Sequence, residues 1–395
     1  MTYPFSPEVL DALPERLVGL YRELEITLLS RIAEQIKAGL PLGETTLQDI
    51  RALRSHGLSV EEINAAVKAV TGVSERQLNA LMADVVARNQ AYYAEVIDLA
   101  QITAPEALVD AAVIDAIRRQ TLDEFRNITQ SMGFVVGGRL VEPGKAYQWA
   151  LDTAVTQVQS SAISYDQAIA NATRQLADSG LSTVAYESGH VDKVDVAVRR
   201  AVLTGVAQIN EQYNAQAQEY LETDLVEVSA HAGARNTGEG FQNHEAWQGK
   251  IYRWSEYTKR FPGASKGQYP DFVTTCGLGD VQGIYGANCR HSHVPFVEGV
   301  MEPTYTQEQL DNLKSKKFTF EGKKYDTYTA TQKQRAIENS IRHWKRREAA
   351  ATNPKDALAA KARIRVLKAK YREFSEAAGL RTQEERMRVY IPKGK

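Results

Sequence analysis

The stretch that decides how this chain is organised is Gly286-Ala287-Asn288-Cys289-Arg290-His291-Ser292-His293-Val294-Pro295-Phe296. It places a thiol, a guanidinium and two imidazoles within five residues. Both cysteines and four of the seven histidines lie between residues 231 and 293: Cys276, Cys289, His231, His244, His291 and His293. Thiols and imidazoles are zinc ligands, and they are also catalytic nucleophiles and bases. This window is therefore predicted to be a metal site or a catalytic site.

The composition changes at residue 223, where the region around this stretch begins. Residues 225–231 alternate apolar and polar side chains as a strand does, and 251–254 form a second short strand pattern. Glycines then interrupt the chain repeatedly between 277 and 286. We therefore predict a small loop-rich α+β domain over 223–303, with a core thin enough to need a cross-link or a metal.

The preceding residues, 1–222, have the apolar spacing of helices. Helices are predicted over 14–40, 74–102, 105–131, 144–178 and 192–222. Ser74 and Gln77 have the spacing of a capping box, which would start the second of these helices. Glycines between 133 and 144 predict a loop or a small hairpin. Region 1–222 is thus predicted to be a helical scaffold, and it contains no glycine-rich phosphate loop.

After residue 304 the sequence becomes helical again. A hairpin is predicted over 318–325, turning at Glu321-Gly322. A helix over 329–351 is followed by Asn353-Pro354, which combines an N-cap residue with proline at the first helical position. Apolar stripes on this helix and the next one predict an antiparallel helix pair. Region 304–395 is therefore predicted to be a basic helical C-terminal region.

The charge of the chain is distributed unevenly. Residues 331–395 carry 18 Lys and Arg against 7 Asp and Glu, whereas the rest of the chain carries 30 against 42. A basic tail on an acidic body indicates a polyanionic partner such as DNA. The candidate phosphate contacts lie at the end of the first tail helix: Arg342, Lys345, Arg346 and Arg347. The alternative is a solvated helix pair, or a tail that docks on the acidic body of its own chain.

Several classes of protein are excluded by composition. The 395 residues suffice for two or three domains. No apolar run approaches the roughly 20 residues that a membrane-spanning helix needs. The first residues lack the basic start and the apolar core of a signal peptide. Two cysteines cannot form a disulfide framework, which predicts a reducing compartment.

The metal hypothesis takes its ligands from His231, His244, Cys289 and His291, with Cys276 and His293 in reserve. Zinc accepts Cys and His in tetrahedral sets, and a closed site would order this loop-rich region. The spacing matches no standard zinc finger. In an extended segment the side chains of His291 and His293 point in opposite directions, so at most one of them would join a single site. The alternative is a set of buried or loop histidines held by hydrogen bonds.

The catalytic hypothesis makes Cys289 a nucleophile, with His231 or His244 as base and Arg290 as an anion clamp. A nuclease with His244 as base is a further version of it. Neither version is fixed by spacing: Glu245 or Asp271 could orient the base, but spacing marks out neither of them. The structural hypothesis is therefore preferred over the catalytic one.

Several blocks of sequence are distinctive when taken in order. Those of the small domain are Ser229-Ala230-His231-Ala232-Gly233-Ala234-Arg235, His244-Glu245-Ala246-Trp247-Gln248-Gly249-Lys250, Tyr269-Pro270-Asp271-Phe272 and Gly286-Ala287-Asn288-Cys289-Arg290-His291-Ser292. Those of the tail are Tyr325-Asp326-Thr327-Tyr328, Gln332-Lys333-Gln334-Arg335, Ile337-Glu338, Ile341-Arg342 and Tyr371-Arg372-Glu373-Phe374. Together, across 225–390, these blocks resemble the phage minor capsid protein 2 family. That family is similar to the Mu F-like minor head proteins, which carry a Cys/His cluster ending in a similar Asn-Cys-Arg segment.

The resemblance implies a low-copy structural protein of a tailed-phage head, associated with the portal, the capsid proteins and the packaged DNA. It implies a location in the virion head, and in the host cytoplasm during assembly, with no established catalytic activity. One position departs from the family pattern. Relatives are expected to carry a cysteine where this chain has Ile284-Tyr285-Gly286. Tyr285 cannot replace a thiolate ligand, so either Cys276 substitutes for it or the site is metal-free.

The sequence thus predicts a mainly α fold: a helical N-terminal region, a small α+β Cys/His domain and a basic helical C-terminal region. The predicted function is that of a minor capsid protein acting in head assembly or genome delivery. The alternative is a virion-carried enzyme, a nuclease or a toxin-like transferase, built on the 231–293 cluster. A third hypothesis is a host-side DNA-binding module that uses the basic tail.

Overall fold

The computed structural model describes residues 3–40, 45–56, 60–160, 163–185, 190–286 and 289–388. The chain forms two compact units, each assembled from three separate stretches. Unit 1 comprises Met1–Pro14, Asn79–Thr121 and Val202–Lys333, and unit 2 comprises Glu15–Leu78, Leu122–Ala201 and Gln334–Lys395. The three consecutive regions 1–222, 223–303 and 304–395 are not tested by this division and stay a prediction.

The described residues are mostly helical, with small antiparallel sheets, which confirms the predicted fold class. The helices are α1 Pro7–Ala12, α2 Glu15–Gly39, α3 Leu47–His56, α4 Val60–Leu99, α5 Ala111–Gln130, α6 Pro143–Ser160, α7 Tyr165–Ser179, α8 Val194–Tyr220, α9 His244–Trp247, α10 Ser255–Arg260, α11 Phe272–Cys276, α12 Gln307–Leu313, α13 Thr327–Ala349 and α14 Pro354–Ala377. The strands are β1 Met132–Val136, β2 Arg139–Val141, β3 Leu181–Ala185, β4 His190–Lys193, β5 Leu225–Val228, β6 Ile251–Arg253, β7 His293–Phe296, β8 Phe318–Phe320 and β9 Lys323–Tyr325.

Unit 2 contains a four-stranded antiparallel sheet in the order β2-β1-β3-β4. The predicted hairpin between 133 and 144 is its β1–β2 pair. The single helix predicted over 144–178 is wrong, because the chain forms two helices there. Ser164 is the N-cap of the second, and its side chain accepts a hydrogen bond from the Gln167 amide. Strands β3 and β4 were not predicted.

The predicted helix start at Ser74 is also wrong. Helix α4 begins at Val60 and passes through Ser74, which is fully buried. The Ser74 hydroxyl donates to the carbonyl of Thr71 at 2.9 Å and lies 3.3 Å from the Tyr21 hydroxyl. A buried serine inside a helix satisfies its hydroxyl by such hydrogen bonds. The serine at position 74 is therefore part of the packing inside α4 and does not mark a helix start.

The predicted helix pair at the C-terminus is confirmed. Asn353 caps α14, and its side chain accepts from the Asp356 amide. Gln334 donates to Ser375 at 2.9 Å, and Tyr371 donates to Glu338 at 3.0 Å. Residue numbers that rise on α13 therefore fall on α14, which is the antiparallel arrangement. The predicted hairpin is β8–β9, with Glu321 and Gly322 both in the left-handed region that its tight turn requires.

Unit 1 contains a three-stranded antiparallel sheet in the order β6-β5-β7. Strands β5 and β6 were predicted, and β7 was not. All four residues of β5 are buried, so side chains on both faces of this strand lie in the core. Its core partners include Trp247, Tyr252 and Phe272. Asn214 of α8 donates to the carbonyl of His293 at 2.8 Å, which fixes the start of β7 against that helix.

No helix among the described residues is long and apolar enough to cross a membrane.

Candidate metal centre

The small sheet explains why distant residues meet at one place. His231 lies three residues after β5, while Cys289 and His291 lie just before β7. Val228 pairs with His293, and the Ser229 amide donates to the Ser292 carbonyl at 2.8 Å. Because the two strands are antiparallel, the end of one and the start of the other meet at the same edge of the sheet.

Three of the predicted ligands form a compact group at this edge. The donor atoms of His244, Cys289 and His291 all lie within 4.8 Å of one another. The Cys289 sulfur lies 3.6 Å from Nδ1 of His291. His244 and His291 are buried, and Cys289 is half-buried. We call these three residues the donor group. Two imidazoles and one thiol are a ligand set that zinc accepts, with a fourth position left for another ligand.

The outer nitrogens of both imidazoles already have partners. Nε2 of His244 donates to the carbonyl of Gln282 at 2.8 Å, and Nε2 of His291 donates to Oε1 of Gln248 at 3.0 Å. These partners assign the proton to Nε2 and leave the Nδ1 lone pairs available. Metal-binding histidines generally donate their second N–H to an oxygen in this way. The residues present therefore fit a zinc ion.

His231 lies beside the donor group but is not a member of it. Its ring stacks on His291 with centroids 4.6 Å apart. Its Nδ1 donates to the carbonyl of Ala232 at 2.9 Å. Cys276 is likewise outside the group, since it is fully buried in the apolar core with Tyr252 and Phe272. The structure thus brings together three of the four predicted ligands and leaves the reserve thiol in the core.

The remaining histidine of the cluster faces other surroundings. His293 lies 5.1 Å from Phe272 and 5.5 Å from Trp254 between ring centroids. Its Nδ1 lies 2.6 Å from the hydroxyl of Tyr285. Tyr285, which stands near the position where relatives are expected to carry a cysteine, is in the left-handed backbone region. The Tyr285 hydroxyl therefore forms a hydrogen bond with His293, which is not a member of the donor group.

Burial sets the protonation states of these groups. Burial lowers the pKa of His231 to about 3, with the Arg290 guanidinium adding to the effect. Burial also lowers the pKa of His244, and it lowers that of His291 well below its ordinary value. Burial raises the pKa of the Cys289 thiol. The imidazoles are therefore neutral, as metal ligands must be, while the thiol would lose its proton on binding metal.

The pKa of the Cys289 thiol is also relevant to the catalytic hypothesis. An activated cysteine has a lowered pKa and lies in electropositive, accessible surroundings. The Cys289 pKa is raised, and the donor group contains no carboxylate among the described residues. The arrangement resembles a buried ligand set more than a nucleophile with its base.

The comparison with protein-family models supplies the wider context. The model described as Phage minor capsid protein 2 matches residues 5–376. The chain belongs to the phage minor capsid protein 2 family. The resemblance stated from the sequence blocks is thereby confirmed, and it extends into the helical N-terminal half. Searches of curated proteins and of solved structures found no match.

The four basic candidates of this minor capsid family member all have partners within unit 2. Arg342 donates to the carbonyl of Arg386 at 3.0 Å and lies 3.7 Å from Asp195. Lys345 donates to the carbonyl of Met387. Burial and the neighbouring Lys368 lower the pKa of Lys345 to about 8. These contacts support the alternative in which tail charges pack on the protein itself.

The other two candidates are bound in the same manner. Arg346 donates to the carbonyl of Ala177 at 2.8 Å and lies 3.6 Å from Glu25. Arg347 forms a two-point ion pair with Asp178, at 2.6 and 2.5 Å. A phosphate would have to displace these partners. The prediction that the four side chains contact DNA is not tested by the structure.

Sequence reasoning missed Gln248, a buried residue that organises the site. Its Oε1 accepts from the His231 amide and from the His291 ring, both at 3.0 Å. Gln248 lies one helical turn after His244, and that spacing could have indicated that the two residues share a face.

Proposed function

We propose that this protein is a structural component of a tailed-phage head that acts in head assembly or genome delivery. Its partners are the portal and the capsid proteins at the inner surface of the head. The observation that carries the proposal is the family match over residues 5–376 of the 395-residue chain. A match of that extent makes the whole chain a member of the family, which supports a role in the virion for both compact units.

A structural role suits the Cys/His cluster better than a catalytic one. The imidazoles of His244 and His291 are buried, and the thiol beside them has a raised pKa. General acid–base chemistry needs a group whose pKa lies near the working pH, and burial moves these groups away from it. If the structural proposal fails, the alternative is a virion-carried enzyme, either a nuclease or a toxin-like transferase.

The proposal includes one zinc ion held by His244, Cys289 and His291. When bound, zinc would supply a cross-link between helix α9, which carries His244, and the segment before β7, which carries Cys289 and His291. Elemental analysis of purified protein should find about one zinc per chain. The double variant Cys289→Ser, His291→Ala should lose it, while His343→Ala, a histidine of unit 2, should retain it. A metal-free wild type that is fully folded would eliminate zinc from the proposal.

Contact with packaged DNA has weaker support than contact with the portal. Arg342, Lys345, Arg346 and Arg347 all have partners on the protein, so phosphate binding would cost the three ion pairs of the arginines and the hydrogen bond of Lys345. Portal contact is tested by cross-linking intact heads followed by mass spectrometry. Cross-links to the portal support the proposed contact, and cross-links confined to the major capsid protein would remove the portal from the proposal.

An infectivity assay separates the structural role from the catalytic one. Phage lacking the gene is complemented with wild type, His244→Ala or His343→Ala. The structural proposal expects His244→Ala to reduce infectivity only as far as it lowers incorporation of the protein into heads. Particles that assemble, contain the variant and DNA in normal amounts and still fail to infect would show a chemical role, and the enzyme candidate would replace this proposal.

A further inference from the structure

The outer face of helix α14 carries an apolar stripe that the fold leaves uncovered. Leu358 is 67% exposed and Val366 is 57% exposed. With Ala362 and Ala369, both exposed, they follow at spacings of four, four and three residues. This spacing places the four on one face of a helix. The opposite face of α14 is the buried one, with Ile364, Leu367 and Tyr371 among its core residues.

Basic side chains flank this stripe. Lys361, Arg365 and Lys368 recur at helical spacing along one side, and Arg363 lies on the other. Between residues 357 and 372 the chain carries six Lys and Arg and no Asp or Glu. We call the stripe and its flanks the basic face. It combines exposed apolar surface with one sign of charge, which is typical of a helix that docks on another protein.

Unit 1 exposes a surface of the opposite charge. Residues 98–116, which comprise the end of α4, the connection to α5 and the start of α5, are largely exposed. They include Leu99, Ile102 and Val113, which are 49%, 40% and 38% exposed. The same stretch contains four acids and no base: Asp98, Glu106, Asp110 and Asp115. We call it the acidic corner. Exposed apolar groups with acidic neighbours are the complement that the basic face requires.

We propose that the basic face of one copy docks on the acidic corner of a second copy of this chain. Both surfaces offer apolar side chains to bury, and their charges are opposite. Because the two surfaces differ, the contact is head-to-tail, and an open assembly keeps one free basic face and one free acidic corner at its two ends until it closes on itself. Duplex DNA would satisfy the cations but leave Leu358 and Val366 uncovered. This inference goes beyond the proposed function, since it concerns contacts between copies.

The test measures association of the full chain by sedimentation velocity. Wild type at up to about 100 μM and low salt should form species larger than a monomer, because a modest interface gives dissociation constants in the micromolar range. Association should weaken at about 0.5 M salt, where exposed charges are screened. The basic-face variant, Lys361→Glu with Arg365→Glu, and the acidic-corner variant, Asp98→Lys with Glu106→Lys, should each be monomeric.

Mixing the two variants gives the decisive result. Each retains one intact surface, and the two altered surfaces are again opposite in charge, so an equimolar mixture should associate although neither variant does so alone. The control variant, Lys323→Glu with Lys324→Glu on the exposed β8–β9 hairpin, makes the same charge change and should associate like wild type. Thermal unfolding by circular dichroism establishes that all variants fold.

Three outcomes would overturn the proposal. One is a wild type that stays monomeric throughout the concentration range. Another is a pair of folded variants that associate as wild type does, or whose mixture stays monomeric. The third is a monomeric wild type whose basic face binds duplex DNA or anionic vesicles, which would assign that face to a polyanion.

Discussion

Replacement of Asp195 by Asn tests the charge network that joins three segments of unit 2. The Asp195 carboxylate lies 3.3 Å from Nε of Arg22 and 3.7 Å from Arg342. These two arginine side chains are only 8% and 14% exposed. Removing one partner of a buried ion pair costs about 3–5 kcal/mol. Arg22 keeps a second partner, Glu15 at 3.1 Å, so we expect the lower end, about 3 kcal/mol, in the free energy of unfolding.

The matched control is Asp123→Asn in the same unit. Asp123 pairs with Arg126 at 2.9 Å, but the side chains of this pair are 70% and 52% exposed. An exposed pair contributes at most about 1 kcal/mol. Urea unfolding at pH 7, followed by circular dichroism, measures both variants. If Asp195→Asn costs no more than Asp123→Asn, the reasoning about burial is refuted.

The pH dependence gives a second signature of the Asp195 carboxylate. Burial raises its pKa, but the Arg22 and Arg342 guanidiniums outweigh burial and hold the pKa below its ordinary value. The unfolded chain therefore binds the proton first, at about pH 3.9, and the stabilisation is full above that pH. It is lost as pH falls through the lower, folded-state pKa. The difference between wild type and Asp195→Asn should be constant from about pH 5 to 7 and shrink below about pH 4. A difference that does not change with pH would show that charge is not its cause.

Three further predictions concern local features of the fold. Gly249→Ala should destabilise unit 1 by more than Gly240→Ala does in a thermal melt. Both glycines have positive φ, a conformation that costs alanine about 1–2 kcal/mol. Only at Gly249 would the new methyl group also collide with Leu310. Equal effects would show that Leu310 moves freely. Ser74→Ala should cost about 1 kcal/mol in urea unfolding, because it removes the hydroxyl bonded to Thr71 inside α4; a neutral result would mean that this bond is not needed. Arg346→Gln should lower the free energy of unfolding in urea by about 2–3 kcal/mol, because it removes the contacts of Arg346 with Ala177 and Glu25. The control, Lys361→Gln on the exposed face of α14, should change it by no more than about 0.5 kcal/mol. Equal effects would mean that the contacts of Arg346 contribute nothing.

Helical periodicity carried most of what could be predicted about the fold. Helices α2, α8 and α13 have long apolar stripes and were predicted within a few residues. The predictions of secondary structure were wrong where one local sequence pattern is compatible with two structures. Ser74 and Gln77 have the spacing of a cap, yet packing against Tyr21 places Ser74 in a helix interior. Strand β7 was missed because its histidine and proline obscure the apolar pattern, and only pairing with β5 makes it a strand.

The candidate site was predicted in composition but not in geometry. Crowding of thiols and imidazoles indicated the region that contains the donor group, because such residues are sparse elsewhere in the chain. Which of them meet depends on the pairing of β5 with β7, whose residues lie more than 60 positions apart. The basic residues show the same limit. A run of charge does not reveal which side chains face acidic partners, and Arg346 and Arg347 meet Glu25 and Asp178 from distant parts of the sequence.

The position of the donor group in the chain gives a physical reason for a metal there. His244 and Cys289 lie 45 positions apart, and the described residues between them form only short elements: the rest of α9, β6, α10 and α11. Closing a loop of that length lowers the entropy of the unfolded chain, by the arithmetic used for disulfides, to an extent worth about 4 kcal/mol. Unit 2 contains none of the three donor residues, so this stabilisation would act on unit 1 alone. If the donor group holds zinc, a strong chelator should lower the protection of amide hydrogens in β5 and β7 against exchange while leaving α6 and α7 unchanged. An equal loss of protection in both units would show that the metal, wherever it binds, does not act through this loop.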